Sequence, residues 1–216
     1  MSLIVFIHLN YSNKRSSLSF NALKTKNFFL SPESHQLKII IQILTFRNMN
    51  DFPISGYTPY KMETFDSTKP FDLKEAFNYL HHIRPEMKHK LPNTFLQSLK
   101  DFFDQCHNFT LILFKLLTAS LGVKDPEYFP KSHQKIGFLG NTTALRSLYY
   151  PAVDASDILP QQSRCAEHTD YGTLTLLFPN AEGLEVFLMI LRTTGCPVTK
   201  FIAFFSIRNF RDKTFF

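Results

Sequence analysis

Tryptophan is absent from this 216-residue sequence, and cysteine is scarce, with only three residues. Cys106, Cys165 and Cys196 include no pair at Cys-x-x-Cys spacing, which argues against a disulfide scaffold or a zinc cage. Charge is also sparse. Charged residues make up 19% of the chain against 44% hydrophobic, a balance unlike that of a disordered tail or a coiled coil. No window approaches the ~18 uninterrupted apolar residues of a membrane span. The start, MSLIVFIHLNYSNKR, has no basic residue ahead of its apolar run, so it lacks the positive region of a secretory signal and suggests a cytoplasmic protein.

Two features stand out positively. The aromatic content rests on 24 phenylalanines, and the net charge is +6. The charge is unevenly placed. Residues 1–50 carry +5 and residues 188–216 carry +4, whereas residues 51–187 carry −3. A basic excess spread over two ends reads as solvated surface and not as a nucleic-acid site. At this length a single domain with a substantial core is expected.

Local signals divide the chain. Ser31-Pro32 suggests a turn into a short helix within residues 28–41, and residues 51–70 read as an extended loop. Asp72 followed by Glu75 resembles a capping box and predicts a short helix over LKEAFNYL. The clearest helix spans 93–121. Asn93 is its candidate cap, and Gly122 stands where a left-handed C-terminal cap is wanted. Its apolar stripe runs Phe95, Leu99, Phe102, Cys106, Phe109, Leu113, Leu116, with Leu96, Phe103 and Leu117 beside it. Such a stripe packs against a large apolar surface, most simply a sheet. Strands are predicted over 144–150, stopped by Pro151, over 168–178, and over 183–187, with polar loop at 152–164. Short consecutive strands with turn punctuation suggest an antiparallel sandwich or jelly roll.

The chemistry concentrates in Cys165-Ala-Glu-His168-Thr169-Asp170-Tyr171-Gly172. On a strand, His168 and Asp170 would share a face. An imidazole and a carboxylate so placed supply two legs of a two-histidine, one-carboxylate facial triad, which holds Fe(II) and leaves positions open for substrate and O2. His-x-Asp also occurs by chance, so its neighbours decide its weight.

Those neighbours are LRSLYYPAV, then CAEHTDYGTLTLLF and GLEVF, preceded by GYTPYKMETFD and KPFDLKEAFNY within 56–79 and by LGVKDPEYFPKSHQKIGFLGNTTALRSLYYP over 121–151. In this order the blocks closely resemble the isopenicillin-N-synthase-like family of Fe(II)/2-oxoglutarate-dependent dioxygenases, over about residues 26–187. The resemblance implies an α+β fold, a double-stranded β-helix (jelly roll) core buttressed by a long helix. It implies Fe(II) as metal, 2-oxoglutarate as cosubstrate, and O2 and a small organic molecule as partners, with neither nucleic acid nor membrane. Carried over by position, His168 and Asp170 are metal ligands and Tyr150 contacts 2-oxoglutarate; no residue is assigned as catalytic. Many members carry Asn where this chain has Leu148. Tyr171 and Gly172 match the family without needing a role, and Arg146 is expected to pair structurally.

The pattern is incomplete. The family's second metal-binding histidine follows the His-x-Asp, yet no histidine follows His168 here. Arg192, Arg208 and Arg211 are followed two positions on by Thr194, Phe210 and Lys213, so the Arg-x-Ser that grips 2-oxoglutarate is also missing. The expected organisation is therefore a non-family segment at 1–25, a helical and loop part at 26–143, the start of an incomplete jelly roll at 144–187, and a non-family tail at 188–216. The ends are rich in Phe, Ile, Lys and Asn, as a truncated or alternatively spliced family member would explain. The expected activity is oxidation of a small substrate with decarboxylation of 2-oxoglutarate; the alternative is a catalytically inactive or interaction-only form.

Overall fold

The computed structural model describes residues 3–10, 56–81, 91–179, 183–186, 196–198 and 202–205. The turn and helix expected within 28–41 lie outside the described residues, as does most of the C-terminal tail. In chain order the elements are β1 (Leu3–Asn10), β2 (Gly56–Thr58), β3 (Glu75–Leu80), α1 (Asn93–Ser120), α2 (Tyr128–Ser132), β4 (Ala144–Tyr150), β5 (Leu174–Pro179), β6 (Leu184–Val186), β7 (Cys196–Val198) and β8 (Ile202–Phe205). The class is α+β, as expected.

Six strands form one sheet in the order β2-β3-β4-β1-β5-β8, and β6 and β7 form a separate antiparallel pair. The pairings β2–β3, β3–β4 and β5–β8 are antiparallel. The expectation of a wholly antiparallel arrangement needs one correction. β1 pairs in parallel with β4 on one side and with β5 on the other. The N-terminal apolar run, which carries no family motif, thus supplies an inner strand of this sheet.

Alternation along the strands gives the sheet two different faces. One presents Phe77, Tyr79, Leu145, Leu174 and Leu176, which pack with Phe95, Leu99, Phe103 and Phe114 of α1 and with Phe129 of α2. The other carries Ala76, Leu148 and Tyr150, packed with Cys165.

β3 corrects the sequence reading of a helix after Asp72. Leu73, Phe77 and Tyr79 are buried, and so are Ala76 and Asn78 between them. A segment buried on both faces loses the polar alternation that marks a strand. Pairing with β2 and β4 then overrides local helix preference. Asp72 caps nothing here.

α1 spans the predicted helix. Pro92 and not Asn93 occupies the cap position, without a side-chain bond. The C-terminus is a Schellman turn: Gly122, at φ +65°, donates to the Ala119 carbonyl, and Val123 donates to that of Thr118. The buried stripe departs from prediction in its second half. Beyond Cys106 it follows Thr110, Phe114 and Thr118, leaving Phe109 and Leu116 exposed. The two threonines can be buried because their hydroxyls donate to the Cys106 and Phe114 carbonyls, at 2.8 and 2.7 Å.

His133 closes α2 inside this core, its ring 4.1 Å from that of Phe114. Nδ1 lies 2.8 Å from the Phe129 carbonyl, and Nε2 is buried without a hydrogen bond. Burial pushes its pKa down to about 4. The unfolded chain therefore binds a proton that the folded chain refuses. Stability should be full above about pH 6.5 and fall as pH drops toward 4, by about 3 kcal/mol in all. Urea unfolding at pH 7 and pH 4.5 should show this loss in the wild type and a markedly smaller one in His133→Leu. An unchanged pH dependence in the variant would contradict it.

Candidate metal and cosubstrate site

Three segments converge on the face opposite α1: residues 63–66, 71–74 and 163–168. Backbone bonds stitch them together, with Asp72 N–H donating to the Glu63 carbonyl (2.8 Å) and Leu73 N–H to that of Ser163 (3.0 Å). The Arg146 guanidinium donates to the Glu63 carboxylate, so this residue does pair structurally.

At the centre is a buried ion pair. Lys74 Nζ lies 2.5 Å from Asp72 Oδ2, and both side chains are almost wholly buried, at 2% and 1% exposure. Asp72 Oδ1 also accepts from the Ala166 N–H at 3.1 Å, with the Ser163 hydroxyl at 3.4 Å. Lys74 Nζ sits 3.7 Å from Cys165 Sγ and 4.8 Å from the centre of the Phe65 ring. Sequence reasoning missed this cluster. Its one available signal was the spacing of Asp72 and Lys74, which on a strand-like backbone fall on the same side.

His168 and Asp170 lie just before β5 and not on it, because the strand begins at Leu174. The shared-face argument therefore fails, yet the two side chains meet. His168 Nε2 is 3.4 Å from Asp170 Oδ1. Other contacts hold each from behind. His168 Nδ1 lies 2.8 Å from the Ala166 carbonyl, and its ring stacks on Phe65 at 3.9 Å with 6° between planes. Asp170 Oδ2 accepts from the Thr175 hydroxyl at 2.7 Å. Burial alone would lower the His168 pKa, but Asp170, Cys165 and the Ala166 carbonyl outweigh it and hold the value up to about 10.

Tyr150 is buried at the end of β4, against Ala76, Leu148 and Cys165. Burial, and then the neighbouring Cys165 sulfur, push its pKa well above the usual phenol value. Burial likewise raises the Cys165 thiol, but His168 and Lys74 more than offset it and bring its pKa below the usual value. Cys165 thus touches both the tyrosine and the histidine singled out in the sequence. Leu148 fills an apolar contact on the same face, while Tyr171 is 77% exposed. An open groove of about 640 Å³ lies beyond Tyr150, lined by Tyr60, Glu75, Pro151, Asp154 and Asp157 among others; it does not include His168 or Asp170.

Two metal bonds of about 2.1 Å at right angles place their donors about 3 Å apart. His168 and Asp170 fit that separation. Among the described residues, no group of three or more His, Cys, Asp or Glu side chains is arranged to hold a metal ion.

Comparison with known proteins supplies the context. A proline hydroxylase, buaE of Petromyces alliaceus, is 32% identical over 125 residues, covering 53% of this chain and 36% of its own length. The 2-oxoglutarate-dependent dioxygenase gloF of Glarea lozoyensis is 29% identical over 133 residues, 62% of this chain and 36% of the relative. The 2-oxoglutarate-Fe(II) type oxidoreductase ppzD of Metarhizium rileyi is 27% identical over 126 residues, 58% and 34%. Over the matched residues the chain is similar to 2-oxoglutarate-dependent dioxygenases. No family model and no solved structure matches it. The match spans little more than a third of each of these dioxygenase-family relatives. Among the described residues, no helix is long and apolar enough to cross a membrane.

The buried ion pair has a measurable energetic consequence. Lys74→Met leaves the Asp72 carboxylate buried without its cation, at a cost of about 3–5 kcal/mol. Combining Lys74→Met with Asp72→Asn removes both charges and should recover most of that loss. Denaturant midpoints of the two variants test this; equal stability of the single and double variants would contradict it.

Proposed function

We propose that His168 and Asp170 are two ligands of Fe(II) in a dioxygenase active site and that Tyr150 contacts 2-oxoglutarate. The observation that carries this reading is the 3.4 Å approach of His168 Nε2 to Asp170 Oδ1, with the remaining donor atom of each side chain held by Ala166 and Thr175. On this reading the sheet face bearing Leu148 and Tyr150 is the inner face of a double-stranded β-helix.

Fe(II) with 2-oxoglutarate would supply oxidation by O2 of a small organic molecule, coupled to decarboxylation of 2-oxoglutarate to succinate and CO2. The chain's own residues have simpler tasks. The Ala166 carbonyl fixes Nδ1 of His168 as the donor nitrogen and leaves Nε2 for the ion. Thr175 turns Asp170 so that its other oxygen faces the histidine. Phe65 covers one face of the imidazole and limits water there. The proton that His168 shares with Asp170 must leave before an ion binds. Leu148, packed against Tyr150, offers no polar group to the cosubstrate.

A second reading has its own support. No histidine follows His168, and none of the arginines after it (Arg192, Arg208, Arg211) is followed by serine two residues on, the two features that a third histidine ligand and a carboxylate clamp would need. A catalytically inactive or interaction-only form would need neither.

Anaerobic Fe(II) titration followed by assay of succinate formation separates the two. Fe(II) binding should weaken at least tenfold in His168→Ala and in Asp170→Ala, on the scale of losing a metal ligand. Succinate formation that requires Fe(II) and disappears in His168→Ala supports the enzyme; binding without turnover supports the inactive form. Fe(II) binding unaffected by either substitution would overturn the assignment of the ligands.

A further inference from the structure

The Asp72–Lys74 pair reaches His168 by two independent routes. In the first, Asp72 Oδ1 accepts from the Ala166 N–H at 3.1 Å, and the carbonyl of the same alanine lies 2.8 Å from His168 Nδ1. In the second, Lys74 Nζ sits 4.8 Å from the centre of the Phe65 ring, and Phe65 stacks on the imidazole at 3.9 Å and 6°. The first route fixes the rotation of the ring through its nitrogen; the second places Lys74 behind the Phe65 ring that backs the imidazole. Neither Asp72 nor Lys74 is placed to reach the ion itself, because their contacts are on the Nδ1 side and on the ring face, and Nε2 points to Asp170. Burying two charges needs a compensating purpose, since an apolar pair of similar size would fill the space with less desolvation cost.

We propose that Asp72, with Lys74 as its counter-ion, is a positioning residue that aims Nε2 of His168 at the metal. The proposal rests on the reading of His168 as a ligand. Backbone groups, not side chains, carry the effect from Asp72, so what matters at position 72 is a hydrogen-bond acceptor rather than a charge. Metal affinity should therefore survive loss of the charge and fail with loss of the acceptor.

Two neutral, near-isosteric pairs in the full 216-residue chain isolate that acceptor. Asp72→Asn/Lys74→Met keeps an oxygen for the Ala166 N–H, and Asp72→Leu/Lys74→Met does not. Neither leaves a buried charge unpaired. The probe is Co(II) alone, titrated anaerobically and followed by its visible absorption, with amide hydrogen exchange at Ala166 as a readout independent of metal. The Asn pair should bind Co(II) within about threefold of the wild type, with the same spectrum. The Leu pair should bind about 10–100-fold more weakly, with shifted bands and with faster exchange at Ala166. Equal affinity and spectra in the two pairs would overturn the proposal. A Leu pair that does not fold while the Asn pair does would also overturn it, by assigning the acceptor to the fold alone. Wild-type protein that binds no Co(II), or a His168→Ala variant that binds it equally well, would instead defeat the ligand assignment on which the proposal stands.

Discussion

A buried carboxylate that accepts from another segment's backbone is the constraint around which the rest of the site is arranged. Asp72 joins the start of β3 to the loop that carries Cys165, Ala166 and His168, residues more than ninety positions away in sequence. A carboxylate in that position cannot be left alone, so Lys74 is buried with it. Lys74 in turn draws Phe65 and Cys165 around its ammonium group. The loop is thereby fixed to the sheet by polar contacts, which are directional, and not by apolar contacts, which are not.

The sheet separates two jobs. Its α1 face is filled with aromatic and aliphatic side chains, and the long helix covers it. Its other face has a small apolar patch, and there the polar groups gather: Arg146 with Glu63, Thr175 with Asp170, Asp72 with Lys74. Packing on one face supports the platform, and the platform lets a short loop hold His168 and Asp170 3.4 Å apart.

The legibility of these features in the sequence varied with their range. His168 and Asp170 were visible because their residue types and the blocks around them are informative together. Strand alternation does not explain their meeting, since neither is on the strand; loop geometry brings them together, and no periodicity encodes that. Asp72 was misread for the same reason in reverse. Its local pattern matches a helix cap, while its partners are Lys74 and a distant backbone amide. The α1 stripe was legible through Cys106 and then drifted, because two threonines satisfied their own hydroxyls and could replace leucine or phenylalanine in the core. The parallel pairing of β1 was not legible, because an apolar run at a chain end does not name its neighbours.

On the proposed reading one ion would sit between His168 and Asp170, behind a loop held by Asp72. Paramagnetic line broadening by substoichiometric Mn(II), followed by amide NMR, measures this most directly. Broadening should centre on residues 168–170, extend to Phe65 and Thr175, and be absent around His133 on the opposite side of the sheet. Broadening centred on the groove lined by Tyr60, Asp154 and Asp157, with residues 168–170 left sharp, would contradict it.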